Sequence, residues 1–280
     1  MNPTHNPKPN NVPFEIIHPD IVRGEIKFAI FDFDGTISLI REGWQQIMIP
    51  MMVEILMHTP EHEHISQIEK VVRTYVANTT GKQTIYQMIR LAEEVEKRGG
   101  KAEDPLVYKE QYHDQLMEHI TSRLAGLRQG RLTPESMTVP GFLQALQQIT
   151  DAGVKCFLAS GTDEKYVLDE AELLGVTTYF TGIYGALDDY QNFSKRIVIQ
   201  KIIQENQLQG PELVAFGDGY VEIEDTKSAS GIAIGLATDE AGRDGIDAWK
   251  RDRLITSGAD VIMGDFRPFP QLWQYLMEEV

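Results

Sequence analysis

The sequence predicts an α/β protein, a doubly wound parallel sheet with an inserted α-helical cap domain. Three observations point there. Short apolar runs ending in acidic or glycine-containing turns recur at residues 26–32 (IKFAIFD), 154–160 (VKCFLAS), 213–218 (LVAFGD), 231–236 (GIAIGL) and 259–263 (ADVIM). Helix-like or turn-rich sequence separates them, as parallel strands covered on both faces require. Residues 42–137 contain no convincing strand, and an interval of that length is too long for an ordinary crossover.

Taken in order, residues 1–20 are polar and proline-rich and are expected to be a flexible lead-in. Residues 21–41 and 138–280 form the core. Residues 42–137 form the cap, with amphipathic helices expected over 44–57, 65–76, 84–97 and 108–124, interrupted by HTPEHEH, NTTGKQ, RGGKAEDP and GLRQG. In the core, residues 141–152 (GFLQALQQITDA) carry helical spacing with Gly153 as a stop signal, and 195–206 (KRIVIQKIIQEN) behave likewise. The polar stretch 238–254 (TDEAGRDGIDAWKRDRL) has no role assignable from the residues.

The composition, 280 residues with 42% hydrophobic and 24% charged, argues against disorder and against a fibrous protein. No run reaches the roughly 18 apolar residues of a membrane helix, and the N-terminus lacks signal-peptide features, so a cytoplasmic location is expected. Cys156, the single cysteine, excludes an internal disulfide and reads as a buried strand residue. A net charge of −16 disfavours nucleic acid and anionic membranes as partners. The oligomeric state is not legible.

The chemistry concentrates in FAIFDFDGTIS, residues 28–38. Two carboxylates, Asp32 and Asp34, stand two positions apart at a strand end, and alternation puts them on one side of the chain. Gly35 lets the backbone turn and approach a ligand. Like charges held this close call for a counterion, and hard oxygen ligands suit magnesium.

This segment resembles the first motif of the haloacid dehalogenase-like superfamily, in its branch with a helical cap that includes phosphoglycolate phosphatase and β-phosphoglucomutase. The resemblance implies that Asp32 attacks phosphorus and that Asp34 serves as general acid and base. Three further segments follow in the family's order. Ser160, in LASGT, resembles the hydroxyl that holds a phosphate oxygen, with the Gly161 amide beside it. Lys195, 23 residues before Asp218, resembles the cation shielding the nucleophile. Asp218, in AFGDGYVEIED, resembles the acidic magnesium ligand. The family usually carries a second aspartate four residues later, where this chain has Glu222, and Glu224 or Asp225 could take that part instead. The metal set is thus expected from Asp32, Asp34, Asp218 and Glu222, with Mg2+ as cofactor and a small phosphorylated metabolite as partner. In the cap, Thr80, Gly81 and Lys82 are candidates for substrate contact.

Other signals fail. VANTTGKQT has Val76 where a phosphate-binding loop needs glycine and Gln83 where it needs Ser or Thr. Glu222 stands where a dinucleotide fingerprint needs its third glycine. His58, His62 and His64 read as a solvated helix connection, and the glycosylation triplets at Asn78 and Asn192 as incidental. The expectation is a magnesium-dependent phosphatase of small monoesters such as a sugar phosphate or phosphoglycolate. The alternatives are a sugar-phosphate mutase of the same fold and a non-catalytic binding module.

Overall fold

The structure, a computed structural model, describes residues 14–187, 195–208 and 210–278. In chain order, β1 (Glu15–Ile16) and β2 (Phe28–Phe31) lead into α1 (Trp44–Met57), α2 (Ile65–Thr79), α3 (Thr84–Lys97) and α4 (Pro105–Arg128). The chain then forms α5 (Pro134–Met137), α6 (Phe142–Asp151), β3 (Lys155–Asp163), α7 (Glu164–Leu173), β4 (Phe180–Ala186) and α8 (Lys195–Asn206). Last come β5 (Leu213–Gly217), α9 (Tyr220–Ser228), β6 (Ile232–Leu236), α10 (Ala248–Thr256), β7 (Val261–Met263) and α11 (Phe269–Met277).

The strands form one sheet in the order β1-β7-β6-β5-β2-β3-β4, parallel throughout except for β1, which runs antiparallel to β7. This is the doubly wound sheet that the apolar runs predict. It differs from expectation at both edges. Part of the proposed lead-in is ordered, because Phe14 is buried and Glu15–Ile16 pair with Ile262 and Val261. β4 escapes sequence reading because FTGIYGA is half-exposed along an edge and so shows no continuous apolar run.

Register places the chemistry. Phe31 lies level with Leu158 on β3 and Phe216 on β5. The residues just past that level, Asp32, Ser160 and Asp218, therefore gather at the carboxyl end of three adjacent strands, where open α/β sheets bind ligands. Beneath them the Phe31 and Phe216 rings stack at 4.8 Å, with Phe142 edge-on to Phe31 at 5.8 Å. Phe31→Ala is expected to cost about 3–5 kcal/mol, the usual range for a buried aromatic lost from a core. A urea midpoint equal to wild type would show that this layer does not support the site.

Cys156 is 1% exposed, and burial alone pushes its thiol up to about 12. The thiolate, the reactive form, is then scarce at neutral pH. Maleimide is expected to label Cys156 only after denaturation, and rapid labelling of native protein would contradict its place in β3.

The cap helices leave and return side by side. Leu39 N–H donates to the Met137 carbonyl and Val139 N–H to the Ile37 carbonyl, both at 2.9 Å, so the two linkers form a short ribbon at the end of β2. Arg123 on α4 ties that ribbon to the cap by donating to the carbonyls of Ile40 and Glu42. Met52, Leu56, Val72, Met88, Leu91 and Ile120 bury the apolar stripes of α1 to α4 against one another. None of the described helices is long and apolar enough to cross a membrane.

Candidate active site

Asp32 follows β2 directly, its backbone N–H donating to the Phe216 carbonyl at 2.9 Å, so the strand pairing itself fixes the carboxylate. It is 4% exposed. Lys195, at the start of α8 and 5% exposed, donates from Nζ to Asp32 Oδ1 at 2.7 Å. The same ammonium pairs closely with Glu222 on α9, as an ion pair and not as an aligned hydrogen bond. Glu222 has no solvent exposure and does not line the cleft, so its carboxylate faces Lys195 from behind.

Asp34 stands on the other side of the turn. Its Oδ2 accepts from the Thr162 hydroxyl at 2.7 Å, and its Oδ1 lies 3.8 Å from Arg41 Nε. Arg41 is clamped in turn by Glu170 of α7, with hydrogen bonds at 2.6, 3.0 and 3.2 Å. Gly35 adopts φ +73°, and a side chain there would collide with the Asp218 carboxylate. Glycine at this position is therefore a requirement of space as well as of backbone conformation. Ser160 accepts from the Thr162 N–H at 3.0 Å, while Gly161 and Thr162 face the cleft.

Asp218 brings in two residues that sequence reading missed. Lys250 on α10 donates to Asp218 Oδ2 at 2.8 Å and to Glu240 Oε1 at 2.6 Å. Both belong to the polar stretch after β6 that had no assigned role. It reads as loop and surface helix because its function is to deliver two charged side chains, which leaves no apolar periodicity to detect. Arg41 and Glu170 went unseen for a similar reason, since only the fold brings α7 beside the first linker.

Charge in this cluster is unbalanced. Six carboxylates, Asp32, Asp34, Glu170, Asp218, Glu222 and Glu240, meet three cations, Arg41, Lys195 and Lys250. Burial pushes the Asp32 carboxyl well up, opposed by Lys195 and reinforced by Glu222 and Asp218. Burial likewise raises Glu240, against the pull of Lys250. One more positive charge would relieve both. Among the described residues no three His, Cys, Asp or Glu side chains form a ready metal cage. Magnesium held by one or two carboxylates with waters and substrate oxygens needs none, and the Asp32 and Asp218 oxygens suit it. The Asp34 carboxylate is instead engaged by Thr162 and approached by Arg41.

The cap closes over this cluster. The loop between α2 and α3 brings Gly81 against the Gly219 backbone, and the Lys82 carbonyl beside Gly161. Arg253 on α10 donates to the Thr80 carbonyl at 3.0 Å, and Lys109 on α4 to Asp163 at 2.7 Å. Thr80, Gly81 and Lys82 all line the resulting cleft, which is partly open to solvent. The His58, His62 and His64 side chains bond locally at the surface, and His64 caps α2.

The site is thus a doubly wound core with acidic groups converging at its strand ends, under a helical cap. The family model described as haloacid dehalogenase-like hydrolase matches residues 26–229, and the chain belongs to that family. Solved structures share the fold at low identity. A predicted phosphoglycolate phosphatase from Haemophilus somnus 129PT is 15% identical, with 89% of this chain and 98% of that one covered at a TM-score of 0.59. A β-phosphoglucomutase from Clostridium difficile is 13% identical over 90% and 97%, at 0.60. A haloacid dehalogenase-like family hydrolase from Streptococcus pneumoniae is 15% identical over 90% and 99%, at 0.55. No curated protein matches.

Proposed function

We propose that this protein is a magnesium-dependent phosphatase of small phosphate monoesters, working through an aspartyl phosphate on Asp32. The observation that carries the reading is the buried pair of Lys195 Nζ and Asp32 Oδ1 at 2.7 Å, with Asp34 poised across the turn. An Asp32 oxygen attacks phosphorus in line, and the ester oxygen departs with its electron pair as Asp34 donates it a proton. Asp34 then takes a proton from water. That water displaces the Asp32 carboxylate from phosphorus and releases inorganic phosphate. Lys195 and the Gly161 backbone hold the phosphoryl oxygens, and Thr162 and Arg41 keep the Asp34 carboxylate turned toward the cleft. Magnesium on Asp32 and Asp218 would neutralise developing charge on the phosphoryl group.

The test follows inorganic phosphate and ester together, with and without magnesium. Phosphate released mole for mole with ester consumed, and lost on chelation by EDTA, is the expected result. An isomerised ester with no free phosphate would favour the mutase reading. No turnover across a broad panel of esters would favour a binding module.

A further inference from the structure

A second groove lies beside the catalytic cleft and shares with it the wall formed by Glu42, Trp44 and Glu240. The rest of its lining is separate. The cap contributes Arg73 of α2, and the polar stretch after β6 contributes Thr238, Asp239, Asp247 and Trp249. Both cations of this lining are already held by carboxylates: Arg73 donates to Glu69 at 2.6 and 3.0 Å, and Lys250 to Asp218 and Glu240. Two of its carboxylates are not held by cations. Asp239 Oδ1 accepts from the Gly242 N–H and Asp247 Oδ1 from the Lys250 N–H, both at 2.8 Å, and neither side chain forms an ion pair among the described residues. Backbone hydrogen bonds leave their charge uncompensated.

A buried group points to a ligand independently. Thr238 is 2% exposed, and its hydroxyl has no hydrogen-bond partner among the described residues. Buried hydroxyls are normally paired, so a donor is missing at this place. Apolar surface stands open nearby. Trp249 remains 48% exposed although the Arg253 guanidinium already lies 5.2 Å from its ring, a contact that indoles favour with cations. An anion would meet two uncompensated carboxylates here. A bare metal ion would leave the tryptophan surface uncovered, and the described residues form no cage of three ligands.

We propose that this groove is a binding site for an aliphatic di- or polyamine, distinct from the phosphoryl cleft. Its ammonium groups pair with Asp239 and Asp247 and donate to the Thr238 hydroxyl, while its methylene chain lies along Trp44 and Trp249. Trp44 belongs to the cap and the other four residues to the core, so a bound amine touches both domains. The inference does not depend on the phosphatase reading.

Equilibrium dialysis of the full chain against radiolabelled putrescine tests it. The catalytic cleft is acidic as well, so the solutions contain saturating magnesium and inorganic phosphate. One amine should bind per chain with a Kd below about 1 mM, and excess 1,4-butanediol, similar in length but uncharged, should not displace it. Changing Asp239→Asn and Asp247→Asn together keeps the oxygens that accept from Gly242 and Lys250 and removes the charge. Affinity should fall about tenfold or more. Trp249→Ala, at an exposed position, should weaken binding about tenfold and makes the same test if the double variant does not fold. Absence of saturable binding would overturn the proposal, as would displacement by butanediol. Binding of undiminished affinity in the folded variants would place the amine elsewhere on this acidic protein and overturn it equally.

Discussion

Asp32→Asn is expected to lower kcat on any phosphate ester by about 10⁴-fold or more, the scale on which removal of a covalent nucleophile acts. The amide keeps the shape and loses the charge that must strike phosphorus. The fold should not suffer. Burial holds the Asp32 carboxyl well above its ordinary value. A folded-state value raised in this way means that the ionised form weakens the native state, with stability falling as pH climbs from the unfolded value toward the folded one. A neutral amide avoids that penalty. Without magnesium, the melting temperature of Asp32→Asn at neutral pH should therefore equal or exceed that of wild type. Turnover within tenfold of wild type would remove Asp32 as nucleophile. A melting temperature several degrees lower would mean that the charged carboxylate stabilises the fold through Lys195.

Lys195→Met should show the opposite pattern, losing both activity and stability. Lys195 is the cation that both Asp32 and Glu222 face, and all three side chains are buried. Removing one partner of a buried ion pair typically costs about 3–5 kcal/mol, because the remaining charge is left uncompensated. Here two carboxylates would be left. Urea unfolding should show the loss, and a second substitution, Glu222→Gln, should recover part of it through coupling between neighbours. If Glu222→Gln restored nothing in the Lys195→Met background, Glu222 would not be the partner that the geometry indicates. Activity should stay low in the double variant, since the phosphoryl oxygens still lack their cation.

Much of this arrangement could be read from the residues alone, for physical reasons. Strands buried on both faces must be continuously apolar, so β2, β3, β5, β6 and β7 stand out against their surroundings. The helices show themselves by their stripes: α1 and α3 of the cap and α8 of the core begin and end at the expected residues, while α2 and α4 run a few residues longer. Asp32, Asp34 and Asp218 follow such strands, Ser160 lies near the end of one, and all inherit their visibility. What stayed hidden lacks a periodic signal. β4 lies at an edge, β1 is two residues long, and Glu170 is a charged residue within a helix until the fold sets it against Arg41. Residues 188–194, which include Asn192, lie outside the described part of the chain.

The grip of Lys250 on Asp218 bears on where this enzyme can be cut. The segment recognisable as its family stops at residue 229, whereas the ammonium that contacts Asp218 comes from 21 residues further on. A fragment trimmed to the recognisable part would display every diagnostic motif. It would nonetheless lack β6, β7 and the counter-charge of one of its own acidic groups. Similarity and completeness part company in this chain, and boundaries drawn by likeness alone would separate Asp218 from Lys250.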